Sequence, residues 1–302
     1  MIPVDTVSAS QPAVKLSIAR RGKRMQVGII GMGLIGGSMA IDLTAAGHQV
    51  IGISRRQSVC DRALARQMVS QASTNISAVA DADVIVVCTP IAAIFTTVMA
   101  LIPHLKAETV LTDVGSVKQP VVAAVASQWP NFVGGHPMAG TAEQGIDAAI
   151  PQLFVNRPYV LTPTEQTPPE AVARVIQLVD ALGSCLYQCD PASHDQAVAW
   201  ISHLPAMVSA SLISACSSPS PEIQALAQAF ASSGFRDTSR VGGGNPELGL
   251  MMAQHNRPNL LRSLRQYRQD LDQIIEAIEQ QDWPFIEATL SQTQRDRPKF
   301  ID

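Results

Sequence analysis

The sequence predicts an α/β protein: a doubly wound parallel sheet in the N-terminal half, followed by an all-α C-terminal domain. Three observations carry that expectation. Short apolar runs alternate with helical stretches as far as Cys189, a glycine-rich turn joins the first run to the first helix, and no β-like run follows. The 302 residues suffice for two domains. With 46% hydrophobic and 16% charged residues, the chain can bury a core and is not disordered. A net charge of −3 and an aromatic content of 4% supply neither the basic surplus nor the stacking platforms of a nucleic-acid-binding protein.

The elements follow in order. Residues 1–24 hold Arg20, Arg21, Lys23 and Arg24 without the apolar segment of a secretory signal, and read as a loose extension. A nucleotide-binding domain is expected over residues 25–189. Its strands are Gln26–Ile30, Gln49–Ile53, Asp83–Cys88, Thr109–Thr112 and Asn131–Gly134, with Tyr159–Leu161 and Cys185–Gln188 as two further ones. Leu34–Ala46 reads as the first helix, stopped by Gly47. Thr162–Pro169 is rich in Thr and Pro and reads as a surface loop.

A helical domain is expected over residues 190–302. Asp190-Pro191 is a cap followed by a first-turn proline. Ala197–Cys216 is a long apolar helix that Pro205 should kink or end. Asn245-Pro246-Glu247 opens another helix. Leu260, Leu261, Leu264, Leu271, Ile274, Ile275 and Ile278 share one face, a core or a dimer seam. No uninterrupted apolar run reaches the length of a membrane span, so none is expected. Cys60, Cys88, Cys185, Cys189 and Cys216 are odd in number and scattered, which suits packed thiols in a reduced, cytoplasmic chain better than disulfides or a metal site.

Gly31-Met32-Gly33-Leu34-Ile35-Gly36 lies between the first strand and the first helix. Gly31 allows the tight turn, Gly33 lets backbone approach a pyrophosphate, and Gly36 lets helix and strand pack closely. The amides that open the helix, at Leu34, Ile35 and Gly36, are free to meet phosphate oxygens. This is the fingerprint of a Rossmann-type dinucleotide site, and Thr89, closing the third strand before Pro90, is placed at the same site. An NAD site usually has an acid after the second strand. Here Ser54-Arg55-Arg56 stands in its place, and two guanidiniums with a hydroxyl suit the 2′-phosphate of NADP. The alternative is a pair of solvated arginines opening the next helix.

In open α/β sheets ligands sit beyond the carboxyl ends of the strands. Two glycine-bearing polar segments fall there: Asp113-Val114-Gly115-Ser116-Val117-Lys118 after the fourth run, and Gly134-Gly135-His136-Pro137-Met138-Ala139-Gly140 after the fifth. A histidine so placed can act as a base near neutral pH, and Ser116 can hold its tautomer or meet the same substrate hydroxyl. The competing readings are that His136 caps loop carbonyls and that Ser116 caps the next helix.

On these motifs, together with Ser202-His203-Leu204-Pro205 and Gly234-Phe235-Arg236-Asp237-Thr238-Ser239-Arg240, the chain from Met25 onward resembles the prephenate and arogenate dehydrogenases of tyrosine biosynthesis. With Ser54-Arg55-Arg56 it is most similar to the NADP-dependent arogenate dehydrogenases of cyanobacterial type. The resemblance implies oxidative decarboxylation of arogenate to tyrosine, with prephenate as the alternative substrate and NAD(P) as the alternative cofactor. It implies that His136 accepts the proton of the ring hydroxyl, with Ser116 beside it. Arg240 would bind the carboxylate that leaves as carbon dioxide, and His203 would contact the substrate. It also implies a homodimer joined through the helical half. His203 could instead be a satisfied core histidine, and Arg240 a helix C-cap or the ion-pair partner of Asp237. Lys118 reads as a surface lysine of a first helical turn, and His194, Asp195 and His255 as solvated or capping groups. Glu143, Asp195 and Asp237 are candidates for recognising the amine that distinguishes arogenate from prephenate. Family members often carry an acid directly after the threonine of the HPMAGT segment. Here that position is Ala142, so an acidic gate is not expected. No regulatory ACT-like or chorismate mutase segment is recognisable, so any feedback by tyrosine is expected at the active site itself.

Two rivals fit less well. The β-hydroxyacid dehydrogenases share the architecture but use a lysine from the helical half, and here no lysine lies between Lys118 and Lys299. A catalytically silent NADP sensor would have no need of Ser116, His136 and Arg240 together.

Overall fold

The computed structural model describes residues 14–15, 24–141 and 143–301. Nine strands form one sheet: β1 Val14–Lys15, β2 Gln26–Ile30, β3 Gln49–Ile53, β4 Gln71–Ser73, β5 Val84–Val87, β6 Val110–Asp113, β7 Phe132–Pro137, β8 Pro158–Thr162 and β9 Cys185–Gln188. Their order is β1-β9-β8-β7-β6-β5-β2-β3-β4. From β4 to β7 every pairing is parallel, and the order reverses between β2 and β5. That reversal is the switch point at which a Rossmann-type sheet holds its ligand. Helices α1 Leu34–Ala45, α2 Gln57–Ala65, α3 Ile91–Leu101, α4 Gln119–Val125 and α5 Pro169–Ala181 cover it.

Both faces of the sheet are buried, which is why its central strands read as continuous apolar runs. Within β5, Val84 and Val86 join the cluster that includes Met39 and Leu43, while Ile85 and Val87 join the opposite cluster with Ile94 and Val98.

The sheet departs from expectation in three ways. It is mixed rather than parallel throughout, because β8 runs antiparallel to β7 and β1 antiparallel to β9. β1 lies inside the extension expected to be loose; the rest of that segment before Arg24 lies outside the described residues. β4 has the sequence Gln-Ala-Ser and carries no apolar signal of its own. Finally, β7 runs on through Gly134, Gly135 and His136 to Pro137, a stretch that reads as loop. A Cβ on Gly135 would lie 2.7 Å from the Asp113 carbonyl oxygen, and one on Gly134 would collide with Thr162 Oγ1. Close neighbours, not flexibility, call for those glycines.

Beyond β9 the described residues are helical: α6 Pro191–Val198, a π-helical turn Ala199–His203, α7 Leu204–Cys216, α8 Pro221–Phe230, α9 Ser233–Ser239, α10 Pro246–His255, α11 Arg257–Glu279, α12 Trp283–Asp296 and α13 Pro298–Ile301. The caps are those expected. Asp190 accepts hydrogen bonds from the amides of Ala192 and Ser193, and Asn245 from that of Glu247. Pro205 neither ends the helix nor bends it sharply. It sits in the first turn of α7, and the widened π turn before it absorbs the missing N–H.

The continuous stretch Pro191–Cys216 is long and apolar enough to cross a bilayer by length and composition. The isolated polar residues that interrupt its apolar run are what hid this in the sequence. Three of them, His194, Asp195 and His203, are buried inside the protein.

Candidate active site

The glycine turn has the geometry its sequence demands. Gly31 adopts φ +100°, and a Cβ there would lie 2.6 Å from the Cys88 carbonyl oxygen at the end of β5. A Cβ on Gly36 would collide with the Gly31 carbonyl, so helix and strand are in direct backbone contact. A Cβ on Gly33 would meet nothing within 4 Å. The turn therefore closes on the protein at Gly31 and Gly36 and opens outward at Gly33. No side chain caps α1, so its first amides are unsatisfied by the chain. Thr89 Oγ1 is buried beside this turn without a hydrogen-bond partner. Open amides, an open glycine face and an orphaned hydroxyl fit a dinucleotide pyrophosphate. After β3, Ser54 Oγ accepts from the Arg56 amide at 3.3 Å, and both Arg55 and Arg56 are exposed, with no carboxylate partner among the described residues.

At the carboxyl ends of β6 and β7 a buried polar cluster forms. Asp113, the last residue of β6, accepts hydrogen bonds from the amides of Gly115 at 2.8 Å and Gly135 at 3.1 Å. It is also ion-paired with Lys118, whose ammonium donates a second bond to the Gly135 carbonyl at 2.8 Å. Lys118 is thus fully buried rather than a surface lysine. Burial pushes its pKa down, and the neighbouring Asp113 carboxylate opposes that shift. The pair fastens the Ser116 turn to the strand that carries His136.

His136 is 8% exposed, and its Nδ1 lies 2.8 Å from Nε2 of His194 on α6. Nδ1 of His194 lies 2.7 Å from Asp195 Oδ1. The Asp195 carboxylate also accepts the amides of Lys118 at 2.7 Å and Gln119 at 2.8 Å, so it caps α4 from the other domain. His194 and Asp195 are therefore neither solvated nor merely local, and Asp195 has no oxygen free to recognise a substrate amine. His255, in the last turn of α10, stands outside this cluster. Burial, then the nearby His194, Lys118 and His203, hold the His136 pKa well below the usual imidazole value. His136 is neutral at pH 7, the form a base requires.

Ser116 Oγ is buried with no partner, and the ring of His136 is held by His194 instead. His203 lies at the end of the π turn, fully buried. Its Nδ1 accepts from Asn256 Nδ2 at 3.1 Å, and the same amide group donates to the Asp195 carbonyl at 2.7 Å. The proton of His203 is therefore on Nε2, a buried donor without a partner. Burial lowers its pKa to about 4 against the opposing pull of Asp195.

Arg240 caps the C-terminus of α9 and is exposed, with no ion pair to Asp237 and no hydrogen bond to His136 or His203 among the described residues. Its segment is nevertheless held in place. Ser209 Oγ on α7 donates to the Thr238 carbonyl at 2.8 Å and accepts from the Gly242 amide at 2.9 Å. Glu143 and Asp237 are exposed. Ala142, the expected departure at the gate, lies outside the described residues.

Comparison with known proteins agrees with this arrangement. Residues 39–188 match the model of the prephenate dehydrogenase nucleotide-binding domain, and residues 190–292 that of the prephenate dehydrogenase dimerization domain. The chain belongs to the prephenate dehydrogenase family. It is thus a dehydrogenase with a nucleotide-binding domain, an oxidoreductase of the group that makes tyrosine. A crystal structure of Synechocystis arogenate dehydrogenase is similar at 54% identity, covering 91% of this chain and all of that one, with a TM-score of 0.82. The cyclohexadienyl dehydrogenase of Zymomonas mobilis is 31% identical over 90% of this chain and 94% of its own. The prephenate dehydrogenase of Bacillus subtilis is 33% identical over 84% of this chain and 70% of its own. The glycine turn at 31–36 precedes the matched span, so its reading as a phosphate site rests on its own geometry.

Of the residues singled out in the sequence, the fold gathers Ser116, His136 and His203 around one buried cluster and places the glycine turn and Thr89 at the switch point. The buried roles of His194, Asp195, Lys118, Asp113 and Asn256 escaped sequence reading. The one available signal was the adjacent His194-Asp195 pair just inside a capped helix.

Proposed function

We propose that this prephenate dehydrogenase family member is an NADP-dependent arogenate dehydrogenase working as a homodimer, with prephenate and NAD(P) as the alternative substrate and cofactor. One observation carries the chemistry. A neutral, buried His136 has its Nδ1 engaged, while two orphaned polar atoms, Ser116 Oγ and His203 Nε2, lie buried in the same region. Polar groups buried without partners are costly, and a polar substrate is what would satisfy them.

In this reading NADP, when bound, supplies the hydride acceptor. The Leu34, Ile35 and Gly36 amides and Thr89 hold its pyrophosphate side, and Ser54, Arg55 and Arg56 hold the 2′-phosphate. His136 Nε2 takes the proton of the ring hydroxyl, and Ser116 hydrogen-bonds that same oxygen. As the hydroxyl carbon is oxidised the ring carboxylate leaves as carbon dioxide, and aromatisation makes the step irreversible. Arg240 steadies that carboxylate, and His203 donates to the substrate from the helical side. The chain's contribution is orientation plus one base.

The choice of arogenate follows the 54% identity to the Synechocystis enzyme. With Asp195 committed to α4, Glu143 and Asp237 are left as acids for the substrate amine. A second copy is expected because exposed apolar residues crowd the helical half, among them Phe230, Leu271, Ile275, Ile278, Trp283 and Leu290. Steady-state rates at 340 nm with both substrates and both cofactors test the assignment. Arogenate with NADP is expected to give the highest kcat/KM, and a higher value for prephenate would reverse it.

A further inference from the structure

We propose that His194 and Asp195 are positioning residues for the proton transfer: together they fix His136 in the one tautomer that leaves its substrate-side nitrogen free to accept. The proposal rests on His136 being the base.

The argument runs from hydrogen-bond roles. Asp195 already accepts two backbone amides, and a carboxylate facing Nδ1 of His194 at 2.7 Å can only accept there. His194 therefore carries its proton on Nδ1 and turns a lone pair on Nε2 toward His136. At 2.8 Å from that lone pair, Nδ1 of His136 must be the donor. The neutral His136 then has its own lone pair on Nε2, the atom not otherwise engaged. When Nε2 takes the hydroxyl proton, the ring becomes an imidazolium. Its Nδ1–H bond to His194 strengthens, and the Asp195 carboxylate stands in line behind it as counter-charge. The logic is that of the carboxylate which sets the histidine tautomer in serine proteases, with a second imidazole interposed. The rings lie 5.1 Å apart between centroids at 69°, an edge-on approach that suits an in-plane hydrogen bond rather than stacking.

The line of bonds crosses the domain boundary. His136 is on β7 of the sheet, while His194 and Asp195 are on α6 of the helical domain, and Asp195 reaches back to cap α4. The tautomer of the base is therefore right only when the two domains are docked.

Two experiments test this. Nitrogen-15 NMR of histidine-labelled wild-type enzyme, with the His136 resonances assigned by their loss in His136→Asn, reads the tautomer directly. Protonation on Nδ1 is expected, and a proton on Nε2 of His136 in the free enzyme overturns the proposal whatever the variants do. In kinetics, His194→Phe removes the acceptor, and a fall in kcat of about 10²–10³-fold is expected, with KM for NADP within about twofold. His194→Gln offers an amide oxygen in its place and should recover part of the loss. An unchanged kcat in His194→Phe, or equal losses in the Phe and Gln variants, overturns the positioning role. If His136→Asn loses turnover while His194→Phe does not, the base stands and only the relay fails. If His136→Asn keeps its turnover, the base itself is misassigned.

Discussion

The two halves of the molecule bury opposite kinds of residue. The sheet half encloses two apolar cores of its own, one on each face. In the helical half the buried hydrophobics are Val198, Ala199, Met252, Leu260 and Ala277, alongside the buried polar residues His194, Asp195, His203, Ser209, Asn256 and Ser263. Its larger apolar side chains lie outside: Phe230 is 75% exposed, Leu290 63% and Trp283 57%. The sheet half is self-sufficient. The helical half spends its interior on polar contacts with the site and leaves its apolar surface for another protein surface. Catalytic order and association are thus two uses of the same few helices.

The largest effect expected from breaking that arrangement is at His136. Asn there keeps the size but not the basicity, and turnover should fall by about 10³–10⁴-fold while NADP affinity stays nearly intact; isothermal titration beside a 340 nm assay reads both. Next is Lys118→Met, which strands the Asp113 carboxylate under the site. A loss of about 3–5 kcal/mol in denaturant unfolding is expected, and a loss below about 1 kcal/mol would show that Gly115 and Gly135 alone satisfy Asp113.

The comparison itself is sharpened on α11. Leu271, Ile275 and Ile278 stand 41%, 46% and 51% exposed, and their spacing of four and three puts them on one face. Leu271→Arg with Ile275→Asp should convert a dimer to a monomer in sedimentation velocity. Retention of the dimer would place the seam elsewhere. A smaller effect is expected at the cofactor. Arg55→Ala with Arg56→Ala should raise KM for NADP by at least tenfold, on the order of the 1.5–3 kcal/mol of a charge-assisted hydrogen bond, and leave that for NAD unchanged.

The smallest effect is in pH. His136 and His203 are held below 6.5 in the fold, His203 at about 4, so the unfolded chain binds more protons than the folded one once pH drops below 6.5. Stability should be level above that value and fall as pH descends from 6.5 toward 4, and His203→Gln should flatten part of the slope in thermal melts.

Much of the sheet half was legible because its signals are contiguous. The turn from Gly31 to Gly36, the caps at Asp190 and Asn245, and the alternating faces of β5 each answer a local backbone requirement. The strand character of Gly134 and Gly135 was not legible, because a residue without a side chain shows no periodicity, and the crowding that demands glycine there comes from Asp113 and Thr162. Lys118 read as a surface group for a similar reason. A lysine is normally solvated, and only the enclosed Asp113 carboxylate makes its burial tolerable.

The amino-acid sequence by itself determined the order of elements, the phosphate-binding turn, the change from sheet to helix after Cys189, and which histidine stands at a strand end. Tertiary structure alone decided what that histidine touches. His136 meets His194 across 58 residues, and Asp195 meets Lys118 across 77. The reason is physical: a turn or cap is specified within a few bonds of itself, whereas the proton placement on a buried imidazole is set by whichever acceptor the docking of two domains brings within hydrogen-bonding reach.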